Sequence, residues 1–443
     1  MNLETSEVLQ VPEPKAAVSV LGCKVNQTEA SAIADMFRRS GYKIVDFSEK
    51  ADVYVIHTCT VTGESDRKSR NLIRRAVRKN PDAVVAVTGC YAQVSSRAVE
   101  AMEGVDIVMG TGSLDALVDR VEQVRSDRGE IQAVSNGKEF CNLEGQPGYS
   151  SDRVRAFLKV QEGCQQFCSY CIIPYARGVM RSRPFKETIE KVEQLTASGF
   201  KEIVLTGIRL GAYGKDLDPP VSLASLIKSL GGVPGLQRLR VSSVDPHDFT
   251  PELVSVLTSE PVVCPHFHIP LQSGDDTILE RMRRRYTAEQ YLELIQSLKE
   301  KSPLAAFTTD VMVGFPGESE EHFENTKGVI KAAGFMGVHV FKYSVREGTP
   351  AAEFPGQVPG EVKARRSREI ADLTKRLFAE YASRFLHKEV EVLIEQRDRE
   401  GLWEGHTPNY LVVKLSSPED YRNKIIPVRI TGIGDNFVIG EGV

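Results

Sequence analysis

The chain has 443 residues, of which 41% are apolar and 26% charged, so we expect a packed core and exclude a wholly disordered protein. A formal net charge of −4 indicates no global basic field, and we expect no DNA partner. No apolar run approaches the roughly 18 residues that span a bilayer, and residues 1–15 lack a secretory pattern, so we expect a cytoplasmic protein with no membrane partner.

Short β-branched runs alternate with helical segments in the first part of the chain, residues 14–125. Helices are predicted at Glu29–Arg39 and Arg67–Arg78, and strands at AAVSVLG, DVYVIHT, AVVAVTG and VDIVMG. This alternation predicts an α/β domain with a doubly wound parallel sheet. The polar, Gly- and Ser-rich residues 126–155 are predicted to form a linker.

Two further domains are predicted after the linker. Residues 156–386 contain six candidate strands, most of them separated by helical segments, which predicts a partial (β/α)6 barrel. From residue 387 to 443 the pattern is β-rich with no helical period. This pattern is typical of a small antiparallel β-barrel of the OB type.

Three of the eight cysteines, Cys164, Cys168 and Cys171, form a C-x3-C-x2-C loop directly after a predicted strand. In a chain without an export signal, such spacing indicates metal binding rather than disulfides. Three thiolates can hold three irons of a 4Fe–4S cube and leave the fourth iron open to a ligand. The alternatives are a structural zinc and a full ferredoxin-type cluster. Zinc needs a fourth Cys or His close by, and the nearest downstream histidine is His247.

This cysteine loop, placed after the first strand of a partial barrel, resembles that of the radical S-adenosylmethionine superfamily. The resemblance implies that the amino and carboxylate groups of the methionine moiety chelate the open iron. It also implies that an electron from the cluster cleaves the sulfonium to give a 5′-deoxyadenosyl radical. The cofactor supplies this chemistry, and the protein supplies placement and a dry pocket.

Three other cysteines, Cys23, Cys59 and Cys90, each follow a predicted strand. The carboxyl ends of parallel strands lie along one edge of a sheet, so we predict that these cysteines meet there and hold a second cluster. Burial as small apolar side chains is the alternative, since free cysteine is often buried. Cys141 and Cys264 fit neither set, and no role is assigned to them.

Both cysteine sets together resemble those of the methylthiotransferase family, and the likeness extends over almost the whole chain, with a tail similar to a TRAM domain. The resemblance implies S-adenosylmethionine and two 4Fe–4S clusters as cofactors, and tRNA, a sulfur source and an electron donor as partners. The segments LGCKVNQTE, HTCTVT, GCYAQ and QEGCQQFCSYCIIPYARG are most similar to one branch. That branch converts N6-threonylcarbamoyladenosine at tRNA position 37, next to the anticodon, to its 2-methylthio derivative by a radical mechanism.

Other functions stay open at this point. The same enzyme class also acts on N6-isopentenyladenosine in tRNA or on a ribosomal-protein aspartate, and a non-catalytic iron–sulfur RNA-binding protein is a further hypothesis. His57 departs from the family, which usually has asparagine before Thr-Cys. It either tunes the second cluster or simply replaces one polar residue with another.

Polar and basic residues supply further candidates. Those predicted to bind S-adenosylmethionine lie near strand ends at the barrel mouth, and they are Thr206, Gly207, Ser242, Ser243, Gln272, Ser273 and Asp310. Arg177, Arg181 and Arg183 are predicted to bind the substrate carboxylate.

RNA contact is predicted for basic residues at helical spacing, Arg67, Arg70, Arg74 and Arg78. Two weaker basic concentrations are Arg281 with residues 283–285, and Lys363 with Arg365, Arg366 and Arg368. A solvated helix face is the alternative for each. In the tail, Trp403, Tyr410 and Phe437 are candidates either for base stacking or for the barrel core.

Overall fold

The computed structural model describes residues 13–127 and 154–443, which form two compact units. The first unit contains residues 13–60 and 64–127, and the second contains residues 61–63 and 154–443. The predicted linker at 126–155 lies almost entirely outside the described residues, as does Cys141. Within the described ranges, no helix combines the length and the apolar character needed to cross a bilayer.

The first unit is a parallel sheet with helices between its strands. Its elements are β1 (Lys15–Val20), α1 (Lys24–Arg39), β2 (Lys43–Ile44), β3 (Val53–Thr58), α2 (Gly63–Lys79), β4 (Val84–Gly89), α3 (Cys90–Val94), α4 (Ser96–Glu100), β5 (Ile107–Val108) and α5 (Leu117–Ser126). All neighbours pair in parallel, in the order β2-β1-β3-β4-β5. This is a doubly wound order, so the predicted fold is confirmed.

Apolar side chains cover both faces of this sheet. Val55 of β3 packs in one apolar cluster with Ile33 of α1, and Ile56 packs in a second cluster with Ile73 of α2. Near-continuous apolar strands are typical of parallel sheets that are buried on both sides. The strand β2 was not predicted, because two residues are too few to show a period.

The second unit begins with strands and helices that alternate regularly. Its elements up to the last long helix are β6 (Arg155–Glu162), α6 (Ile173–Arg177), β7 (Arg181–Ser182), α7 (Phe185–Ala197), β8 (Glu202–Gly207), α8 (Leu223–Gly231), β9 (Arg238–Val241), α9 (Pro251–Ser259), β10 (His266–His268), α10 (Asp276–Arg281), α11 (Ala288–Lys301), β11 (Ala306–Val313), α12 (Glu320–Ala333), β12 (Gly337–Lys342) and α13 (Gly360–Ser383).

Six of these strands are parallel and form two sheets, β6-β8-β9 and β10-β11-β12. A parallel bridge between Ser243 and His268 joins the sheets. The antiparallel strand β7 borders β6, so β6 and β12 stay apart within the described residues and the barrel is open. The predicted six-stranded partial barrel is confirmed. The strand β10 ends at His268, and Gln272, four residues later, has a φ of +64°.

The chain ends in a closed five-stranded barrel. Its strands are β13 (Glu389–Arg397), β14 (Trp403–His406), β15 (Val412–Leu415), β16 (Ile425–Ile433) and β17 (Val438–Gly442), ordered β13-β14-β15-β17-β16. The small barrel is confirmed, but the expectation that it is wholly antiparallel is wrong, because β15 and β17 pair in parallel. An odd number of strands cannot alternate in direction around a closed barrel, so at least one pair must be parallel.

A buried ion pair within the six-stranded barrel holds Arg240, which also contacts the small barrel. Arg240 donates from Nε to Oε1 of Glu202 at 2.6 Å and from Nη1 to the carbonyl oxygen of Pro408 at 2.9 Å. The Tyr410 ring lies against Arg240 and stacks on His266, with ring centroids 4.5 Å apart. Burial alone would raise the pKa of Glu202, but the Arg240 guanidinium lowers that pKa below its ordinary value.

Glu202→Gln should destabilise the second unit strongly. The substitution leaves the Arg240 charge buried without its carboxylate, and breaking a buried pair in this way costs about 3–5 kcal/mol. The free energy of unfolding in urea measures the effect. The control is Glu389→Gln, which breaks the exposed pair with Arg429 and should cost less than about 1 kcal/mol. Equal losses of unfolding free energy in the two variants would show that the buried Glu202–Arg240 pair stabilises the fold no more than an exposed pair does.

Candidate active site

Three cysteines of the first unit lie at the carboxyl edge of its sheet. Cys59 and Cys90 directly follow Thr58 and Gly89, which are paired across β3 and β4. Cys23 follows β1, the neighbour of β3 on the other side. A Cβ atom at Gly22, where φ is +108°, would lie 2.8 Å from Sγ of Cys59. Glycine therefore permits the loop that carries Cys23 to approach Cys59 closely.

Asn26 holds this edge together. Its side-chain amide donates to the carbonyl oxygens of Leu21 and Thr58, each at 2.9 Å, and so ties the loop before Cys23 to the end of β3. Sγ of Cys23 lies 3.6 Å from Oδ1 of the same asparagine. The sequence analysis missed this residue. Its signal was a polar residue three positions after a strand-end cysteine.

His57 is fully buried one strand position before Thr58. Its Nε2 lies 3.0 Å from a carboxylate oxygen of the equally buried Glu29, and its Nδ1 lies 2.7 Å from Oγ1 of Thr88. Both ring nitrogens thus have partners that cross-link α1, β3 and β4. The position accepts histidine because Glu29 and Thr88 supply matching groups.

Cys164, Cys168 and Cys171 lie in the irregular loop between β6 and α6. The backbone N–H of Cys164 donates to the carbonyl oxygen of Gly178 at 3.1 Å, and that of Cys171 donates to Cys168 at 3.0 Å. The loop is also tied to the turn after α10, since Ser169 donates from its backbone to Met282 at 3.1 Å. Backbone hydrogen bonds therefore gather the three cysteines within one short loop.

The electrostatics of this loop favour the binding of positively charged metal ions. Burial and, to a smaller extent, the neighbouring Cys168 and Cys164 raise the pKa of Cys171 to about 12. Burial and Cys168 also raise the pKa of Cys164. Three thiolates repel one another here unless positive charge compensates them. Iron supplies that charge, and soft thiolate ligands favour iron–sulfur clusters.

Arg284 is a residue of this site whose role the sequence did not indicate. It was predicted within a basic concentration for RNA, but it is buried, with Nη1 only 3.4 Å from Sγ of Cys168. Its Nη2 pairs with the carboxylate of Asp245 at 2.5 Å. Hydrogen bonds to ligand sulfur are among the factors that set the potential of an iron–sulfur cluster.

A cavity of about 150 Å³ opens beside the cysteine loop. Its lining in the second unit comprises Val61, Thr62, Tyr170, Cys171, Ile172, Ile173, Gln272, Asp310, Met312, Phe341, Lys342, Tyr343 and Ser344. The cavity combines an apolar wall with a few polar groups next to a cysteine.

Comparisons with known proteins agree with this geometry. Residues 15–110 match a family described as uncharacterized protein family UPF0004, and residues 158–329 match the radical SAM superfamily. The chain is 44% identical to the threonylcarbamoyladenosine tRNA methylthiotransferase MtaB of Bacillus subtilis, over 96% of both chains. It is 33% identical to the tRNA-2-methylthio-N(6)-dimethylallyladenosine synthase of Clostridium novyi, over 96% of this chain and 95% of that protein.

The chain belongs to the radical S-adenosylmethionine methylthiotransferase family. It is therefore an enzyme, and its cofactors are S-adenosylmethionine and 4Fe–4S clusters, two in each chain. In fold, it is also similar to the radical S-adenosylmethionine methyltransferase TsrM of Kitasatospora setae with cobalamin and a [4Fe-4S] cluster bound. The TM-score is 0.53 at 15% identity, over 77% of this chain and 74% of that chain.

Only some of the residues that were predicted to bind S-adenosylmethionine in this methylthiotransferase line the cavity. Gln272 and Asp310 line the cavity. Thr206 donates its hydroxyl to the carbonyl oxygen of Leu158, and Ser273 accepts from the backbone of Asp275, so both hydroxyls serve the fold. The others, Gly207, Ser242 and Ser243, lie at the carboxyl ends of β8 and β9.

The arginines that were predicted to bind a substrate carboxylate have partners within the second unit. Arg177 is fully buried and pairs with Glu162 at 2.9 Å. Arg183 is also buried and donates to the carbonyl oxygen of Lys159 at 3.1 Å. Arg181, whose side chain is 14% exposed, donates to the carbonyl oxygen of Arg177. The guanidinium groups of Arg177 and Arg183 thus bond to acceptors inside the second unit, and carboxylate binding by these arginines stays a prediction.

The three basic concentrations differ in exposure. On α2, Arg67, Arg74 and Arg78 are exposed, whereas Arg70 donates to the hydroxyl of Tyr91 at 3.1 Å. In the third concentration, Arg365 pairs with Glu320 and Glu369, and buried Arg366 pairs with Glu318. With Arg284 also buried, α2 is the concentration that retains the most exposed positive charge.

Cys59→Ala should reduce the iron content of the reconstituted enzyme from roughly eight to roughly four atoms per chain. The reason is that one of two cubes loses a ligand while the radical SAM loop stays intact. Iron and sulfide analysis under anaerobic conditions measures this. Cys264→Ala, a change at another buried cysteine, should keep the full content. A Cys59→Ala enzyme that keeps all its iron would contradict the assignment of Cys23, Cys59 and Cys90 as ligands of the second cluster.

Proposed function

We propose that this enzyme converts N6-threonylcarbamoyladenosine at position 37 of tRNA, next to the anticodon, to its 2-methylthio derivative. The observation that carries the proposal is the gap in identity between two relatives. Over nearly the whole chain, identity is 44% to the Bacillus subtilis protein named for threonylcarbamoyladenosine and 33% to the Clostridium novyi protein named for dimethylallyladenosine. The cytoplasm is the proposed site of action.

The two cysteine sets have separate roles in this proposal. Cys164, Cys168 and Cys171 hold the radical-generating cluster, and Cys23, Cys59 and Cys90 hold the sulfur-bearing cluster. When bound, the clusters and S-adenosylmethionine supply the radical and the methylthio group. Asn26 and Arg284 keep one cysteine of each set in place, supported by their contacts with Cys23 and Cys168.

The reaction replaces a C–H bond of the substrate adenine by C–S–CH3, so sulfur and electrons must be delivered. We assign these tasks to a separate sulfur source and a separate electron donor. For S-adenosylmethionine, Gln272 is the best supported of the predicted residues, since it lines the cavity that also contains Cys171. Ser243 and Gly207 lie at neighbouring strand ends and stay predictions.

We assign tRNA binding to the basic face of α2 and to the carboxyl-terminal barrel, residues 387–443, as a TRAM-like domain. The α2 face is supported by the exposed guanidinium groups of Arg74 and Arg78. Two of the aromatic residues of the tail that were candidates for base stacking have structural contacts instead. Trp403 is buried in the barrel core and donates to Glu419, and Tyr410 packs on Arg240.

The second candidate substrate is N6-dimethylallyladenosine, also called isopentenyladenosine. It is favoured by the 33–34% identity to several relatives named for that nucleoside. A ribosomal-protein aspartate has no such support among these relatives.

Deletion of the gene should abolish 2-methylthio-N6-threonylcarbamoyladenosine in total tRNA, because this enzyme is proposed to form that nucleoside. Mass spectrometry of tRNA nucleosides measures the product, and complementation should restore it with the wild type but not with Cys168→Ala. The 2-methylthio dimethylallyl nucleoside should keep its level. Loss of that nucleoside instead would establish the second candidate.

Arg74→Gln combined with Arg78→Gln should raise the KM for tRNA and leave kcat unchanged. Each phosphate contact contributes about one unit to the slope of log affinity against log salt, so the slope should fall by about two. Steady-state kinetics at several salt concentrations measure both effects. The control pair is Lys186→Gln with Lys228→Gln, exposed on α7 and α8. An unaltered slope in the α2 variant would exclude phosphate contacts by this helix.

A further inference from the structure

Two histidines and an aspartate form a cluster inside the six-stranded barrel. His268, Asp310 and His339 each offer one nitrogen or oxygen atom, and these atoms lie within 4.8 Å of one another. Nε2 of His268 is 3.3 Å from Oδ2 of Asp310, and Asp310 stands directly opposite His339 in the register of β11 and β12. The three residues thus come from the neighbouring strands β10, β11 and β12.

The cluster faces the cavity that contains Cys171. Asp310 and Met312 of β11 both line that cavity, as does Phe341 of β12. Side chains two residues apart in a strand share a face, so His339 projects to the same side as Phe341. His268 follows through its contact with Asp310. The cluster therefore forms a polar part of the wall beside the radical-generating loop.

Hydrogen bonds below the cluster fix the orientation of His268. Its Nδ1 lies 2.9 Å from Oγ1 of Thr308, and the same hydroxyl lies 3.0 Å from Nε2 of His266. The hydroxyl can donate to one ring and accept from the other, so one nitrogen of His268 is held while the other meets Asp310. Because such supporting contacts already order the side chains, ligand binding loses less conformational entropy.

The proposed substrate supplies groups that match this cluster. The threonylcarbamoyl substituent carries a carboxylate, a hydroxyl and N–H groups, whereas the dimethylallyl substituent has no polar atom. The His339 imidazole can donate an N–H to a carboxylate, and the Asp310 carboxylate, which His268 holds, accepts from a hydroxyl or an N–H. The arginines first expected to bind the carboxylate, Arg177 and Arg183, are buried and bond to Glu162 and to the carbonyl oxygen of Lys159.

We propose that His268, Asp310 and His339 are the subsite that recognises the polar N6 substituent of the substrate adenine, an inference that rests on the proposed function. An apolar substituent would bury these groups without partners. Sites built to hydrogen-bond a substrate reject analogues without the polar group by roughly 10⁴-fold or more. Thr308 is a positioning residue that acts through His268.

The test uses the full-length reconstituted enzyme, with tRNA that carries either threonylcarbamoyladenosine or dimethylallyladenosine at position 37. His339→Ala and Thr308→Val should each lower the ratio of kcat/KM for the first tRNA to that for the second by at least about 10-fold, since the polar contacts are lost. The KM should rise more than kcat falls. The rate of 5′-deoxyadenosine formation without RNA should stay within about twofold of the wild-type rate, because the loop that carries Cys164, Cys168 and Cys171 is intact. Glu293→Ala, at an exposed position of α11, is the control.

The outcomes separate this inference from the function on which it rests. A wild type that acts on the threonylcarbamoyl tRNA, with variants whose ratio is unchanged, would overturn the subsite alone. A wild type that acts only on the dimethylallyl tRNA would overturn the function and the subsite together. Metal analysis excludes a further possibility: one extra metal ion per wild-type chain that His339→Ala lacks would make the cluster a metal site and overturn the proposal.

Discussion

Parallel strand pairing is the constraint on which both halves of this enzyme depend. Parallel strands all end at the same edge, so residues that are distant in sequence meet there whenever each follows a strand. Cys23, Cys59 and Cys90 are brought to one sheet edge in this way. In the second unit, the loop after β6 carries the other three cysteines to the carboxyl end of a barrel. The chemistry needs no long binding motif in the first unit, because the sheet supplies the proximity.

Gathering thiols at one place is electrostatically unfavourable without metal, and the surrounding residues reflect this. Burial and mutual repulsion raise the pKa of Cys171 and Cys164 above the ordinary value of a thiol. The Arg284 guanidinium lies beside Cys168, and the side-chain amide of Asn26 fixes the loop of Cys23 by donating to backbone carbonyl oxygens. Each of these contacts stabilises an arrangement that the thiols alone would oppose, which prepares the protein for iron.

The two ends of the six-stranded barrel have different tasks. Toward the amino ends of its strands, Arg240, which pairs with Glu202 inside this barrel, contacts Pro408 and Tyr410 of the small barrel, so side chains close this end. At the carboxyl ends, the cavity stays open next to Cys171. Between them, His266, Thr308 and His268 form a hydrogen-bonded column. A closed floor and an ordered polar wall leave the mouth as the place for substrate and cofactor.

The sequence by itself determined the three-part architecture, the parallel sheet and both cysteine sets, because strand length, apolar runs and cysteine position are local properties. Short strands such as β2 and the parallel pair of the small barrel escaped it, since neither leaves a periodic signal. Only the tertiary structure decided which polar side chains face the cavity. Arg177 and Arg284 carry the same charge in equivalent-looking basic stretches, yet one pairs with Glu162 and the other lies beside Cys168. A side chain's partner depends on packing between distant segments, and no local pattern encodes that choice.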